Sequence, residues 1–326
     1  MKIKELARGV KEGSRRDLAK AITLVESNKD SDQEKAQELL SILQEKRDTV
    51  RVGISGVPGV GKSTFIEALG NVLIKEGKRV AVLAVDPSSP TTGGSILGDK
   101  TRMETLSSKE EAFIRPSPTS GTLGGVAKRT RESMLLCEAA GYDVILVETV
   151  GVGQSEFEVS SMVDCFLVMM LPGGGDSLQG IKRGILEITD ILVVNKADGD
   201  QKKLAERGKD EYENAFHMLT PKFEGIPVKL LTTSALHNIG IPEVWQAISE
   251  FISSLKKEGL FSLLRNSQEL NWFKRLTEDE LIRDLWTSAR NRDFADNLKG
   301  QIERGEISPS LASAKMVERA RSNRKD

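Results

Sequence analysis

The chain has 326 residues, and its 47 basic and 48 acidic side chains leave a net charge of −1. That balance argues against a general binder of nucleic acid or anionic membranes, and the length allows one large α/β domain with helical appendages, or two domains. The longest apolar run, 163–172, is broken by Asp164 and too short to span a bilayer; Met1-Lys2-Ile3-Lys4-Glu5 lacks a secretory h-region; and Cys137 and Cys165 have no CxxC spacing. These features predict a soluble, cytoplasmic protein with reduced core cysteines.

Residues 1 to about 48 read as helical. Leu18, Ile22 and Val25 recur at helical spacing, and Ser31-Asp32-Gln33-Glu34 has the pattern of a capping box before Ala36, Leu39, Leu40 and Leu43. Short β-rich apolar runs follow at 51–55, 79–85, 143–148, 164–171, 190–195 and 226–232. Several are nearly continuous, as expected of parallel strands covered on both faces. Helical segments at 62–76, 122–140 and 242–255 separate them. The expected fold is α/β, a doubly wound, mainly parallel sheet that binds ligands at the carboxyl ends of its strands. After Gly259 the chain becomes charged and helical, with Trp272, Phe273, Leu276, Leu281, Leu285 and Trp286 as apolar anchors. The expected organisation is a helical extension over 1–48, a nucleotide-binding domain over 49–258 and a helical arm over 259–326, which those anchors suit to homodimerisation.

Gly56-Val57-Pro58-Gly59-Val60-Gly61-Lys62-Ser63 follows the first apolar run, and Thr64 continues into a helix. Strand, glycine-rich turn and helix N-terminus are the context of a P-loop. Its backbone N–H groups can converge on phosphates, Lys62 can reach the β- and γ-phosphates, and Ser63 can ligate Mg²⁺. Asn195-Lys196-Ala197-Asp198 follows another strand and selects guanine, because Asp198 can accept from N1–H and the N2 amine while adenine offers neither. Ser234-Ala235-Leu236 can supply backbone donors to guanine O6. The implied ligands are GTP and GDP with Mg²⁺.

Metal and switch candidates lie between these ends. Asp86 closes a strand, and the loop after it, rich in Gly, Ser, Thr and Pro, either is an ordinary polar loop or closes over Mg²⁺ and the γ-phosphate through Asp99. Strand-end Glu148 can hold Mg²⁺ through water, and the Gly151 N–H can report on the γ-phosphate. Pro172-Gly173-Gly174-Gly175-Asp176 is either a further switch or a flexible turn. His217 and His237 sit in no ligand cluster and read as packing or surface residues.

Together, GVPGVGKST at 56–64, VDPSSPTTGGSILGDKTRM at 85–103, ETVGVGQSE at 148–156, PGGGDSLQGIKRGILE at 172–187 and NKADGD at 195–200 resemble the MeaB/ArgK/MMAA family of P-loop G proteins. RGEISPSLAS at 304–313 is similar to that family's dimerisation arm. The resemblance implies a GTPase chaperone of an adenosylcobalamin-dependent acyl-CoA mutase, usually methylmalonyl-CoA mutase. It would assign phosphate and metal contacts to Lys62 and Ser63, metal and switch chemistry to Asp86, Asp99 and Glu148, base selection to Asp198 and a mutase-facing third switch to Asp176. Val57 stands where MinD-type members carry a signature lysine, and no glutamine follows Gly151; Gln154 comes three residues later. Slow intrinsic hydrolysis completed by a partner is therefore expected. The alternatives are a nickel-delivery GTPase for urease or hydrogenase, which wants Cys/His ligands this chain is poor in, and a nucleotide-responsive scaffold with incidental hydrolysis.

Overall fold

A computed structural model describes residues 2–44, 48–85, 103–117, 123–149, 155–173, 183–287 and 289–322. Three helices open the chain: α1 (Ile3–Lys11), α2 (Arg15–Glu26) and α3 (Asp30–Ile42). Their apolar stripes, including Leu6, Val10, Leu18, Ile22 and Leu39, are buried in a core shared with the sheet. The Ser31 capping box does not form, because α3 already begins at Asp30 and Ser31 lies inside its first turn. Ser27 organises that turn instead. Its hydroxyl donates to Asp32 Oδ2 at 2.8 Å and accepts from the Lys29 N–H at 3.3 Å, while Gln33 Nε2 donates to its carbonyl.

Strands and helices then alternate: β1 (Val50–Gly56), α4 (Lys62–Lys75), β2 (Val80–Val85), α5 (Glu104–Ser107), β3 (Ala112–Ser117), α6 (Leu123–Ala139), β4 (Val144–Thr149), α7 (Ser155–Ser160), β5 (Cys165–Met170), α8 (Arg183–Glu187), β6 (Ile191–Val194), α9 (Lys202–His217), β7 (Lys229–Thr232) and α10 (Ile241–Lys257). Among the described residues the strands make one seven-stranded parallel sheet, ordered β3-β2-β4-β1-β5-β6-β7. Strand β3 falls outside the apolar runs of the sequence because Arg115 and Pro116 interrupt its pattern. It lies at the edge, where a missing proline donor is tolerated. Strand β7 is shorter than 226–232: Gly225, at φ +78°, turns the chain, and Ile226 pairs back with Phe223.

Strands β2, β4, β5 and β6 are buried along their whole length. Alternate side chains feed two cores. Leu83, Ile145, Val147 and Phe166 pack on the face covered by α1–α3 and α6. Val52, Ile54, Val82 and Leu146 pack on the opposite face, against Phe65 and Leu69 of α4 and Val244 and Ile248 of α10.

One device sets the amino ends of the strands. Asp143, Asp164 and Asp190 each precede a strand, and each accepts the backbone N–H of a neighbouring strand or its lead-in: Arg79 at 2.7 Å, Arg51 at 2.8 Å and Phe166 at 2.8 Å. Asp164 also accepts from Nε and Nη2 of Arg265, both at 2.8 Å, and Arg51 grips Glu138 through Nε and Nη2 at 2.6 and 3.0 Å. Removing one partner of a buried pair of this kind leaves a charge uncompensated, at a cost of about 3–5 kcal/mol.

The chain forms two compact units, Met1–Arg265 and Asn266–Asp326. Helix α11 (Leu260–Thr287) begins in the first. In the second, α12 (Ala289–Glu303) and α13 (Pro309–Ser322) pack through Ala295, Leu298, Ala312 and Met316, and the Arg319 guanidinium lies 4.8 Å from the Phe294 ring centroid. Leu270, Phe273, Leu281, Ile282 and Trp286 of α11 are exposed.

Helix α6 carries a buried acid, Glu132, whose Oε2 has no hydrogen-bond partner among the described residues. Burial raises its pKa from 4.5 to about 7, against the pull of Lys128 and Arg129. The folded chain thus holds this proton more tightly than the unfolded chain. Glu132 should make the fold more stable as pH falls from about 7 towards 4.5, by up to about 3 kcal/mol, and least stable above 7. Urea unfolding of the wild type and Glu132→Gln at pH 5 and pH 8 checks this. The stability difference between the two proteins should change with pH in that direction, and an equal difference at both values would contradict it.

Candidate functional site

Strand β1 ends at Gly56 and α4 begins at Lys62, so residues 57–61 form the loop between them. Gly61 takes φ +95°, and a Cβ on it would stand 2.9 Å from Asn195 Nδ2. Both facts demand glycine. No side chain caps the first turn of α4, which leaves its N–H groups pointing at the loop, an arrangement suited to an anion. Val60 is buried and anchors the loop in the core, whereas Pro58, Gly59 and Thr64 are exposed.

Lys62 is buried and folds back on its own loop, donating from Nζ to Gly56 O at 2.8 Å and Val57 O at 3.5 Å. Burial pulls its pKa below the usual lysine value, and the carboxylates of Glu148 and Glu156 oppose that shift. Ser63 Oγ donates to Glu148 Oε1 at 3.2 Å, which brings a hydroxyl and a strand-end carboxylate together beside the loop. Asp86, Asp99, Gly151 and Asp176 lie outside the described residues.

The base-side segments converge on Asn195, which is buried at the end of β6. Its Nδ2 donates to Val60 O at 2.8 Å, and its Oδ1 accepts from Thr233 Oγ1 and the Ala235 N–H, each at 3.0 Å. The Ala235 N–H, expected to face guanine O6, is therefore directed at Asn195, whose buried carbonyl oxygen needs donors. Lys196 adopts φ +63°, and Asp198 follows with its carboxylate one-third exposed. Ser234 Oγ donates to Asp198 Oδ1 at 2.6 Å, and His237 Nε2 lies 3.7 Å from Oδ2. Leu236 is exposed beside it. Phosphate-side and base-side loops thus share one edge of the sheet, joined by the Asn195 amide.

Residues 18–290 match the family described as methylmalonyl Co-A mutase-associated GTPase MeaB. The chain belongs to the MeaB family. Within it, GTPase ArgK of Escherichia coli (strain K12) is 51% identical over 291 residues, covering 89% of this chain and 87% of that protein. The mitochondrial methylmalonic aciduria type A homolog of Mus musculus is 45% identical over 322 residues, covering 95% and 78%. A crystal structure titled LAO/AO transport system kinase superposes with a TM-score of 0.76 at 39% identity, covering 97% of this chain and 96% of that one. This MeaB-family protein is a P-loop GTPase.

Two residues of the site escape sequence reasoning. Glu156 stands inside the ETVGVGQSE signature without a role of its own, and its burial appears only in the fold. His237 reads as a packing or surface residue, and its proximity to Asp198 depends on the 234–239 turn, closed by paired hydrogen bonds between Ser234 and Ile239. Both cysteines are buried and free, and burial pushes both thiols up. No group of three metal-ligating His, Cys, Asp or Glu side chains occurs among the described residues, and no helix there is long and apolar enough to cross a membrane.

Because Asn195 satisfies three partners in a buried position, Asn195→Ala should destabilise the protein by about 2–4 kcal/mol. It should also weaken guanine-nucleotide binding, since both loops lose their common anchor. Chemical denaturation and calorimetric titration with GDP test this, and a variant with wild-type stability and affinity would refute it.

Proposed function

We propose that this MeaB-family GTPase is a nucleotide-driven switch that serves as chaperone to an adenosylcobalamin-dependent acyl-CoA mutase, with methylmalonyl-CoA mutase as the first candidate. It would gate cofactor delivery and protect or reactivate that enzyme. The supporting observation is the extent of the family match: residues 18–290 fit a family described by its association with methylmalonyl Co-A mutase.

In this reading the triphosphate lies over the 56–64 loop and the base against Asp198. Lys62 and the uncapped N–H groups of α4 stabilise charge developing on the transferred phosphoryl. Ser63 and Glu148 suit Mg²⁺, because a hydroxyl and a carboxylate are hard oxygen donors and they already meet at 3.2 Å. Asp86 and Asp99 would complete that set. Mg²⁺ held by Ser63 and Glu148 would supply positive charge to the phosphate oxygens. Val57 and the residue after Gly151 offer no extra catalytic side chain, so intrinsic turnover is slow and the partner accelerates it. The segment ending at Asp176 faces the partner. The exposed apolar residues of α11 fit a homodimer contact, and two buried thiols fit a reducing cytoplasm.

Base choice follows Asp198. Asp198→Asn replaces an acceptor by a donor, so GDP affinity should fall roughly 10²-fold while xanthosine diphosphate gains. Calorimetry with both nucleotides measures this, and unchanged selectivity would remove Asp198 from base recognition.

The partner reading is tested by sedimentation and turnover together. The protein alone should sediment as a dimer. The mutase from the same organism should bind it with an affinity that differs about 10- to 100-fold between GDP and a GTP analogue, and should accelerate hydrolysis. A mutase that neither binds nor alters turnover in any nucleotide state would overturn the chaperone reading; a monomer would overturn the dimer.

A further inference from the structure

The chain after β7 folds into a tight turn over 234–239. Ser234 and Ile239 exchange backbone hydrogen bonds at 3.0 Å each, the His237 N–H donates to Ser234 O at 3.2 Å, and the Asn238 N–H donates to Ala235 O at 3.4 Å. Closing the turn takes two left-handed residues, Asn238 at φ +55° and Gly240 at φ +76°. A Cβ on Gly240 would stand 2.6 Å from Thr232 O, so that position requires glycine. The backbone thus fixes where His237 sits. Its Nε2 lies 3.7 Å from Asp198 Oδ2, while Ser234 Oγ donates to Asp198 Oδ1 at 2.6 Å. The imidazole is more than half exposed and the carboxylate one-third exposed. An ion pair so exposed adds little to stability, which gives no account of the placement.

Hydrogen-bond capacity gives one. An ionised carboxylate offers about four lone-pair positions, shared between its two oxygens. The Ser234 hydroxyl occupies one on Oδ1. A guanine edge, presenting N1–H and the N2 amine side by side, takes one on each oxygen. One position on Oδ2 is left, and His237 Nε2 faces that oxygen. We propose that His237 is a specificity-determining positioning residue, the fourth donor to Asp198, which fixes the plane of that carboxylate for the guanine edge. A closure of less than about 1 Å brings Nε2 into hydrogen-bonding range. The terminal torsion of an aspartate is broad, so Ser234 alone would tether one oxygen and let the other swing. With both oxygens tethered, the carboxylate cannot tilt to suit a base that offers N1–H without the amine. Such a base leaves an acceptor position unpaired, and that penalty separates guanine from hypoxanthine. The inference deepens the reading of Asp198 as base acceptor and rests on it.

The test compares GDP with inosine diphosphate, whose base keeps N1–H and lacks the N2 amine. Ribose and phosphates are common to both, so their contributions cancel in the ratio of dissociation constants, measured by calorimetry on the full chain in Mg²⁺. His237→Ala should lower the preference for GDP roughly fivefold, the size expected of one hydrogen bond, with the thermal midpoint unchanged. His237→Gln retains a side-chain N–H donor and should hold the preference within about twofold of the wild type. His237→Leu fills the space without a donor; it should behave as the alanine variant does, and it reports instead if that variant does not fold. An unchanged ratio without the donor, equal losses in the alanine and glutamine variants, or a fall in affinity for both nucleotides alike overturns the inference. Failure of the Asp198 reading looks different: the wild type itself would then bind GDP and inosine diphosphate equally.

Discussion

The buried carboxamide of Asn195 is the contact on which the geometry of the nucleotide edge depends. It sits at the end of β6, donates to the carbonyl of Val60 in the phosphate loop and accepts from Thr233 and Ala235 in the loop after β7. Three segments far apart in sequence are therefore held at fixed distances by one side chain whose hydrogen-bonding groups cannot turn to water. The left-handed Gly61 and the positive φ of Lys196 are local deformations that this anchor stabilises.

Much of this was legible in the sequence, for an identifiable reason. Strands buried on both faces write themselves as unbroken apolar runs, and β1, β2, β4, β5 and β6 fall where those runs fall. Strand β3 was not legible, since an edge strand tolerates Arg115 and Pro116 and loses the pattern that betrays a central one. The start of α3 departs from the capping template at Ser31, because the helix already begins at Asp30 without a side-chain cap, and Ser27 ahead of it ties the Lys29 N–H to the Asp32 carboxylate. In the candidate site, Lys62, Ser63 and Asn195, expected from spacing, lie on loops that the fold brings to one edge of the sheet. His237 could not be named from spacing, because its place beside Asp198 depends on the 234–239 turn, which brings together residues distant in sequence.

The two edges of the sheet follow different physics. At the carboxyl edge, Lys62 is buried and Asp198 one-third exposed, beside the loops of the candidate site and the uncapped N–H groups of α4. At the amino edge, Arg51–Glu138 is bidentate and buried, Arg265 grips the buried Asp164 bidentately while itself half-buried, and Lys222 covers Asp190. Such pairs add little net stability over well-packed apolar groups, yet they tolerate no single loss. Arg265 is also the last residue of the first compact unit, so α11 leaves that unit directly after a bidentate anchor.

The aspartates placed before β4, β5 and β6 add a clamp at the amino edge to the alignment that the strand ladders set. Each carboxylate catches the amide of an adjacent strand or its lead-in before any side chain of the nucleotide edge is reached, so the sheet does not rely on its loops to keep its strands in step. Loops on the far side can change length and composition while the platform beneath them stays aligned. A chain built this way can exchange the segments that meet a partner, and acquire a different one, without relearning how to fold.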